Sequence, residues 1–128
     1  MRPLKRHEYV IVFQGTGVQK GWDDCVAAVR NAMVEAWEQL TLAPLEESQR
    51  QYQLRGSAAT VNYQGVALPQ WQYKISDGGR LLYLVDSAPV MKRGKQVHAG
   101  TVIVVEASPG HPKATERVKG SRKGPGRR

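Results

Sequence analysis

A chain of 128 residues has the length of one domain, enough to bury one core and too short for two. Its formal charge of +8 and sequence pI of about 9.9 point to an anionic partner: nucleic acid, ribosome, acidic protein or membrane surface. Cys25 is the only cysteine, which excludes an internal disulfide and a thiolate zinc cluster. The histidines His7, His98 and His111 have no ligand spacing, so neither a metal nor another cofactor is expected. The longest apolar runs are of strand length, so no transmembrane span or secretory leader is expected and a cytoplasmic location follows.

In chain order, a short basic lead precedes a strand over 7–13, where Tyr9, Val10, Ile11, Val12 and Phe13 are all aromatic or β-branched. The residues Gly15-Thr16-Gly17 read as a turn, because no dinucleotide or phosphate-loop signature continues from them. Over 21–40 the apolar residues Trp22, Val26, Val29, Met33, Trp37 and Leu40 recur at steps of three and four, the stripe of an α-helix. Asp23 and Asp24 would sit in its first turn. After Pro44 a second, shorter helix over 44–54 is expected, with Leu45, Gln49 and Tyr52 on one side; the short connection implies an antiparallel helical hairpin laid on a sheet. A loop over 55–59 and a brief edge strand over 60–63 follow.

The segment 70–86 reads as two strands folded back across Asp77-Gly78-Gly79, which supplies positive φ at the reversal. Residues 101–107 form a third strand, apolar at nearly every position, which suits the interior of a sheet. Between them, 87–100 carries Lys92, Arg93, Lys95 and His98 and is either a flexible excursion or a basic contact surface. The last stretch, 117–128, is rich in cations and almost free of apolar residues; it is expected to be a flexible basic tail on a domain spanning 1–116.

Lys74 sits in the first hairpin arm, which runs over 70–76, Arg80 opens the second, and Gly110-His111-Pro112-Lys113 follows the third strand. If the three strands are adjacent and antiparallel, these cations and one imidazole converge, and such a group suits a phosphate. The alternative is that Lys74 and Arg80 are solvated sheet-face residues and His111 caps a loop.

The hairpin, with Tyr73-Lys74-Ile75 leading to Arg80-Leu81-Leu82-Tyr83, and the final strand with its Gly110-His111 corner resemble the RelE/ParE superfamily of bacterial toxins, over residues 7–116. The resemblance implies an α+β fold of the order β-α-α-β-β-β. It also implies a toxin of a toxin–antitoxin pair that cuts mRNA on the ribosome without a metal, with a cognate antitoxin and ribosomal RNA as partners. In that reaction the ribose 2′-oxygen attacks the adjacent phosphate and leaves a 2′,3′-cyclic phosphate and a 5′-hydroxyl. By the same resemblance Arg80 matches a phosphate-binding arginine and Lys74 a lysine that positions substrate or transfers a proton. His111 falls where several members place a catalytic histidine, and Lys113 is a second cation by position. Tyr73 and Tyr83 are candidates to stack on a nucleobase, and Lys92, Arg93 and Lys95 to contact the RNA. Pro112, Ala114, Thr115 and Glu116 stand where many members have a tyrosine or another arginine. Two other functions remain open: a gyrase-directed toxin of the ParE branch, which needs no proton-transfer group, and a basic nucleic-acid-binding module without chemistry.

Overall fold

The computed structural model describes residues 3–110. The expectations for His111, Lys113 and the tail lie outside the described residues. In order, the chain forms β1 (Tyr9–Phe13), α1 (Thr16–Ala28), α2 (Arg30–Leu42), β2 (Gln51–Gln53), a 3-10 turn at Gly56–Ala58, β3 (Thr60–Tyr63), β4 (Val66–Lys74), β5 (Arg80–Asp86), β6 (Val90–Lys92), β7 (Lys95–His98) and β8 (Gly100–Ser108). The main sheet has the order β1-β8-β5-β4-β2, and β3 lies farther along the same edge of β4 as β2. Only the β1–β8 pairing is parallel. The fold is therefore α+β, with two helices and a mostly antiparallel sheet. Among the described residues no helix is long and apolar enough to cross a membrane.

Strand periodicity of two places the core. Leu81, Tyr83 and Val85 of β5, Trp71 and Tyr73 of β4, and Val102 and Val104 of β8 turn to one face, where Trp22 and Cys25 of α1 and Met33, Ala36 and Leu40 of α2 cover them. On the other face Leu84, Leu68 and Ile103 form a smaller cluster under Val61 and Tyr63 of β3. Burial, and then the Asp24 carboxylate, push the Cys25 thiol up to about 11, so it packs as a protonated, small apolar side chain.

The second hairpin arm and the interior strand lie where the sequence puts them, and β8 sits between β1 and β5. The first arm, expected over 70–76, is β4 over Val66–Lys74, so the reversal takes five residues, 75–79, and not Asp77-Gly78-Gly79 alone. Three further segments differ. The expected helix over 21–40 begins earlier, at Thr16, and breaks at Val29 (φ −142°, ψ 63°). No glycine or proline marks the break, and the apolar stripe runs straight through it, which is why the sequence reads as one helix. The expected second helix over 44–54 is absent, and with it the expected antiparallel helical hairpin: α1 and α2 follow one another through the single residue Val29, whose N–H donates to Cys25 O and whose carbonyl accepts the Met33 N–H. Ser48 Oγ accepts the N–H groups of Arg50 and Gln51 at 3.2 Å each, a local bond that competes with helix. Gln51 is buried as the first residue of β2, its Nε2 donating to Ala43 O at 2.9 Å and to Tyr83 Oη at 3.0 Å. Tyr83 in turn donates to Pro44 O at 2.8 Å. The segment that follows α2 is thus tied across to β5 instead of coiling. Lastly, 87–100 is no open loop: β6 and β7 form a ribbon with Arg93 and Gly94 at its turn.

The buried Gln51–Tyr83 pair generates a prediction. Tyr83→Phe should lower the unfolding free energy by about 1–3 kcal/mol, the cost of leaving buried polar groups unmatched. A urea titration with unchanged m-value reads it, and an unchanged midpoint would show that this link does not hold the 43–51 segment.

Candidate functional site

Five residues of the 75–79 loop connect β4 to β5. Ile75 N–H donates to Gly79 O at 3.0 Å and Gly78 N–H to Ser76 O at 3.0 Å. Gly78 has φ 118°, a conformation that side chains disfavour. The chain leaving β8 packs onto this loop: a Cβ on Gly110 would lie 2.8 Å from the carbonyl carbon of Gly78, and one on Gly79 would lie 3.0 Å from Pro109 O. The end of β8 and the hairpin turn therefore meet backbone to backbone, which only glycine permits.

At this end of the sheet Lys74 pairs directly with Arg80, and Arg80 with Ser108. Residues directly opposite share a face, so two cations stand side by side on the face away from the helices. That arrangement costs stability and has no packing purpose, since both side chains are exposed. Arg80 is half offset by Glu106, whose Oε2 accepts from Nε at 3.1 Å and lies 3.0 Å from Nη2. Lys74 Nζ sits 5.6 Å from the centre of the Tyr52 ring, within cation–π range. Tyr52 Oη accepts from Gln72 Nε2 at 2.8 Å, which leaves its O–H able to donate. A groove of about 310 Å³ is lined by Gln72, Lys74, Ser76, Asp77 and Arg80 with the glycines of the turn, and a second of about 210 Å³ by Gln49, Arg50, Lys74, Ser76 and Asp77. Lys74, Ser76 and Asp77 line both.

Glu106 reaches this face through a bulge in β8. Leu82 pairs with Glu106 and Tyr83 with Val104, so Val105 is the extra residue. In unbroken register Glu106 would point into the helix-covered core. Bulges re-aim side chains in this way and are common beside active sites.

Comparison with family models, curated proteins and solved structures finds no match. The site therefore rests on its own geometry. Of the residues expected from sequence, Lys74 and Arg80 are brought together. Tyr73 and Tyr83 are not on their face: both are buried under the helices, 5% and 0% exposed, and burial holds the Tyr83 hydroxyl well above the ordinary phenol range. Neither ring can stack on a base at the groove. Lys92, Arg93 and Lys95 are also elsewhere, on the ribbon beyond Asp86. Arg80 to Asp86 is six steps of extended chain, roughly 20 Å, so these cations do not line the Lys74–Arg80 groove. His111 and Lys113 lie outside the described residues, although Gly110, the neighbour of His111 in the chain, is held against Gly78. Among the described residues no group of three or more His, Cys, Asp or Glu is placed to hold a metal.

Sequence reasoning passes over Tyr52 and Glu106. A helix over 44–54 takes Tyr52 away from the hairpin. Glu106 leaves a trace, an acidic residue where a two-residue alternation from Val102 and Val104 demands an inward apolar one.

The Arg80–Glu106 pair leads to a test. Both side chains are nearly half exposed, so screening limits the pair to about 1 kcal/mol or less. Glu106→Gln should release the guanidinium and tighten inorganic phosphate binding by up to about fivefold, read by calorimetry at low salt. Weaker binding would show that the carboxylate serves to hold Arg80 in place for the anion.

Proposed function

We propose that the protein is a toxin of the RelE-like kind, a metal-independent endoribonuclease that cuts mRNA, with the Lys74–Arg80 face as its cleavage site and the ribosome as the setting. The observation that carries this reading is the direct Lys74–Arg80 pairing on an open sheet face, at the end where Gly110 packs against Gly78. The order strand, two helices, then antiparallel strands fits the resemblance in the hairpin and the Gly-His corner.

The mechanism assigns each group one task. Arg80 and Lys74 bind the scissile phosphate and offset the charge that builds on its non-bridging oxygens as the ribose 2′-oxygen attacks phosphorus. Fixed cations act most strongly at that stage, because they are already oriented when the charge appears. His111 transfers a proton, either from the 2′-hydroxyl or to the departing 5′-oxygen, a role that imidazole as a residue type suits. Lys113, two positions after His111 in the sequence, adds a third cation. Tyr52, with its O–H free to donate, borders the phosphate position beside Lys74. Glu106 pairs with Arg80 and partly offsets its charge until a phosphate competes for the guanidinium. The bonds balance as 2′-O–P formed and P–O5′ broken, with one proton leaving the 2′-oxygen and one reaching the 5′-oxygen. An antitoxin would neutralise the protein by covering this cationic face.

The gyrase-directed alternative needs the cations without the imidazole, and the test separates the two. With translating ribosomes and a defined message, Arg80→Ala and His111→Ala should each slow cleavage by about 100-fold or more, with fold retained by circular dichroism. Product ends should be a 2′,3′-cyclic phosphate and a 5′-hydroxyl, and chelator should not affect the rate. Full activity in both variants, or products ending in a 3′-hydroxyl, would refute the assignment.

A further inference from the structure

The other end of the sheet carries its own concentration of positive charge. β6 and β7 leave the sheet after Asp86 and return to it at Gly100, forming a two-stranded sheet of their own. The ribbon turns on Arg93 (φ 53°) and Gly94 (φ 77°), two consecutive residues with positive φ, the tight hairpin turn whose twist matches the strands. Lys92, Arg93 and Lys95 are all exposed at this turn. The ribbon is braced rather than loose: Gln96 Nε2 donates to Arg6 O at 3.5 Å and Ala99 N–H to Glu8 O at 2.9 Å. Those two bonds bring the basic lead beside it, with Lys5 and Arg6 both exposed. The carboxylates nearest in the chain are engaged inward: Glu8 is 2% exposed and accepts the Lys5 N–H, and Asp86 accepts the Ala88 N–H at 3.0 Å. The result is five cations around one small ribbon with its local acids occupied by backbone groups.

We infer that the β6–β7 ribbon, with Lys5 and Arg6 at its base, is a second contact for an RNA phosphate backbone, separate from the Lys74–Arg80 face. The choice of RNA rests on the function proposed above. The placement does not: β5 runs from Arg80 to Asp86, roughly 20 Å, so the ribbon leaves the sheet at the end of the strand opposite the Lys74–Arg80 pair. A polyanion long enough to touch both is fixed in direction as well as in place, which a single phosphate pocket cannot do. Both strands of the ribbon are open to solvent near its turn, so its cations can follow a backbone without reading bases. A membrane surface fits less well, because Met91 is the one large apolar side chain exposed on the ribbon, too little for insertion.

The test uses the full chain with Lys92→Gln, Arg93→Asn and Lys95→Gln together; asparagine tolerates the positive φ at the turn, and thermal melting checks the fold. Affinity is measured across a salt series for a short unstructured RNA, for purified ribosomes and for vesicles of anionic lipid. With three phosphates no longer neutralised, the slope of log K against log salt should flatten by about 2 to 3, and affinity near 0.1 M salt should fall at least tenfold. A loss on the short RNA assigns the contact to the message; a loss on ribosomes alone assigns it to ribosomal RNA. Parental slopes on both RNA probes overturn the inference, as does a loss confined to vesicles. Arg80→Ala is carried through the cleavage assay in parallel. Should that variant cut like the parent, the proposed activity fails while the salt slopes still decide the ribbon.

Discussion

One extra residue in β8 governs how the sheet divides its labour. With Val105 bulged out, Val102 and Val104 face the helices before it and Ala107 faces them after it, while Ile103, Val105, Glu106 and Ser108 fall on the other side. The carboxylate of Glu106 is thereby kept out of a core of Leu81, Tyr83 and Trp22, where an unpaired charge would cost several kcal/mol. It is delivered instead to Arg80, the cation that opens the strand beside it. The same shift brings Ser108 opposite Arg80, and from there Pro109 and Gly110 run onto the hairpin turn. Packing on one face and charge on the other are thus set by a single register change.

Much of this is legible in the sequence, and for a definite reason. In 70–86 Trp71, Tyr73, Leu81, Tyr83 and Val85 share one parity and Gln72, Lys74 and Arg80 the other, with Leu82 and Leu84 as the apolar exceptions on the polar side. Period two fixes faces without knowledge of the rest of the chain. Parity therefore sets Lys74 and Arg80 on one face, whereas a three-residue turn over 77–79 would pair Arg80 with Ser76; the five-residue loop brings Lys74 opposite it. The same logic, followed to its end, argues against Tyr73 and Tyr83 as surface residues: they share the parity of Trp71 and Leu81, and the structure buries them with those residues.

What stays hidden depends on long-range partners. The 44–54 segment has helical composition, yet the hydroxyl of Ser48 and the reach of Gln51 into the core decide it, and Gln51 finds Tyr83 across 32 positions of sequence. Tyr52 goes with it: a helix reading sets it among Leu45 and Gln49, whereas β2 sets it opposite Gln72 and under Lys74. In 87–100 the turn falls on Arg93-Gly94, and an arginine at positive φ is a weaker hairpin signal than asparagine or aspartate there. The helix break at Val29 has no counterpart in the sequence at all, since the stripe continues through it.

The charge of the chain also takes on a shape that composition could not give. An excess of cations alone predicts diffuse attraction to any polyanion. Here two groups of cations stand at the two ends of β5, with the polar groove and the β8 exit at one end and the braced ribbon at the other. Between them on that face lies the apolar cluster of Leu68, Leu84 and Ile103, which has no charge to offer a phosphate. Two separated patches on a rigid ladder act as a ruler: the sheet cannot shorten without breaking the β5–β8 pairing, so any ligand that engages both must span a fixed length. Local electrostatics supply the attraction, and the strand supplies the geometry that a flexible basic segment would lack.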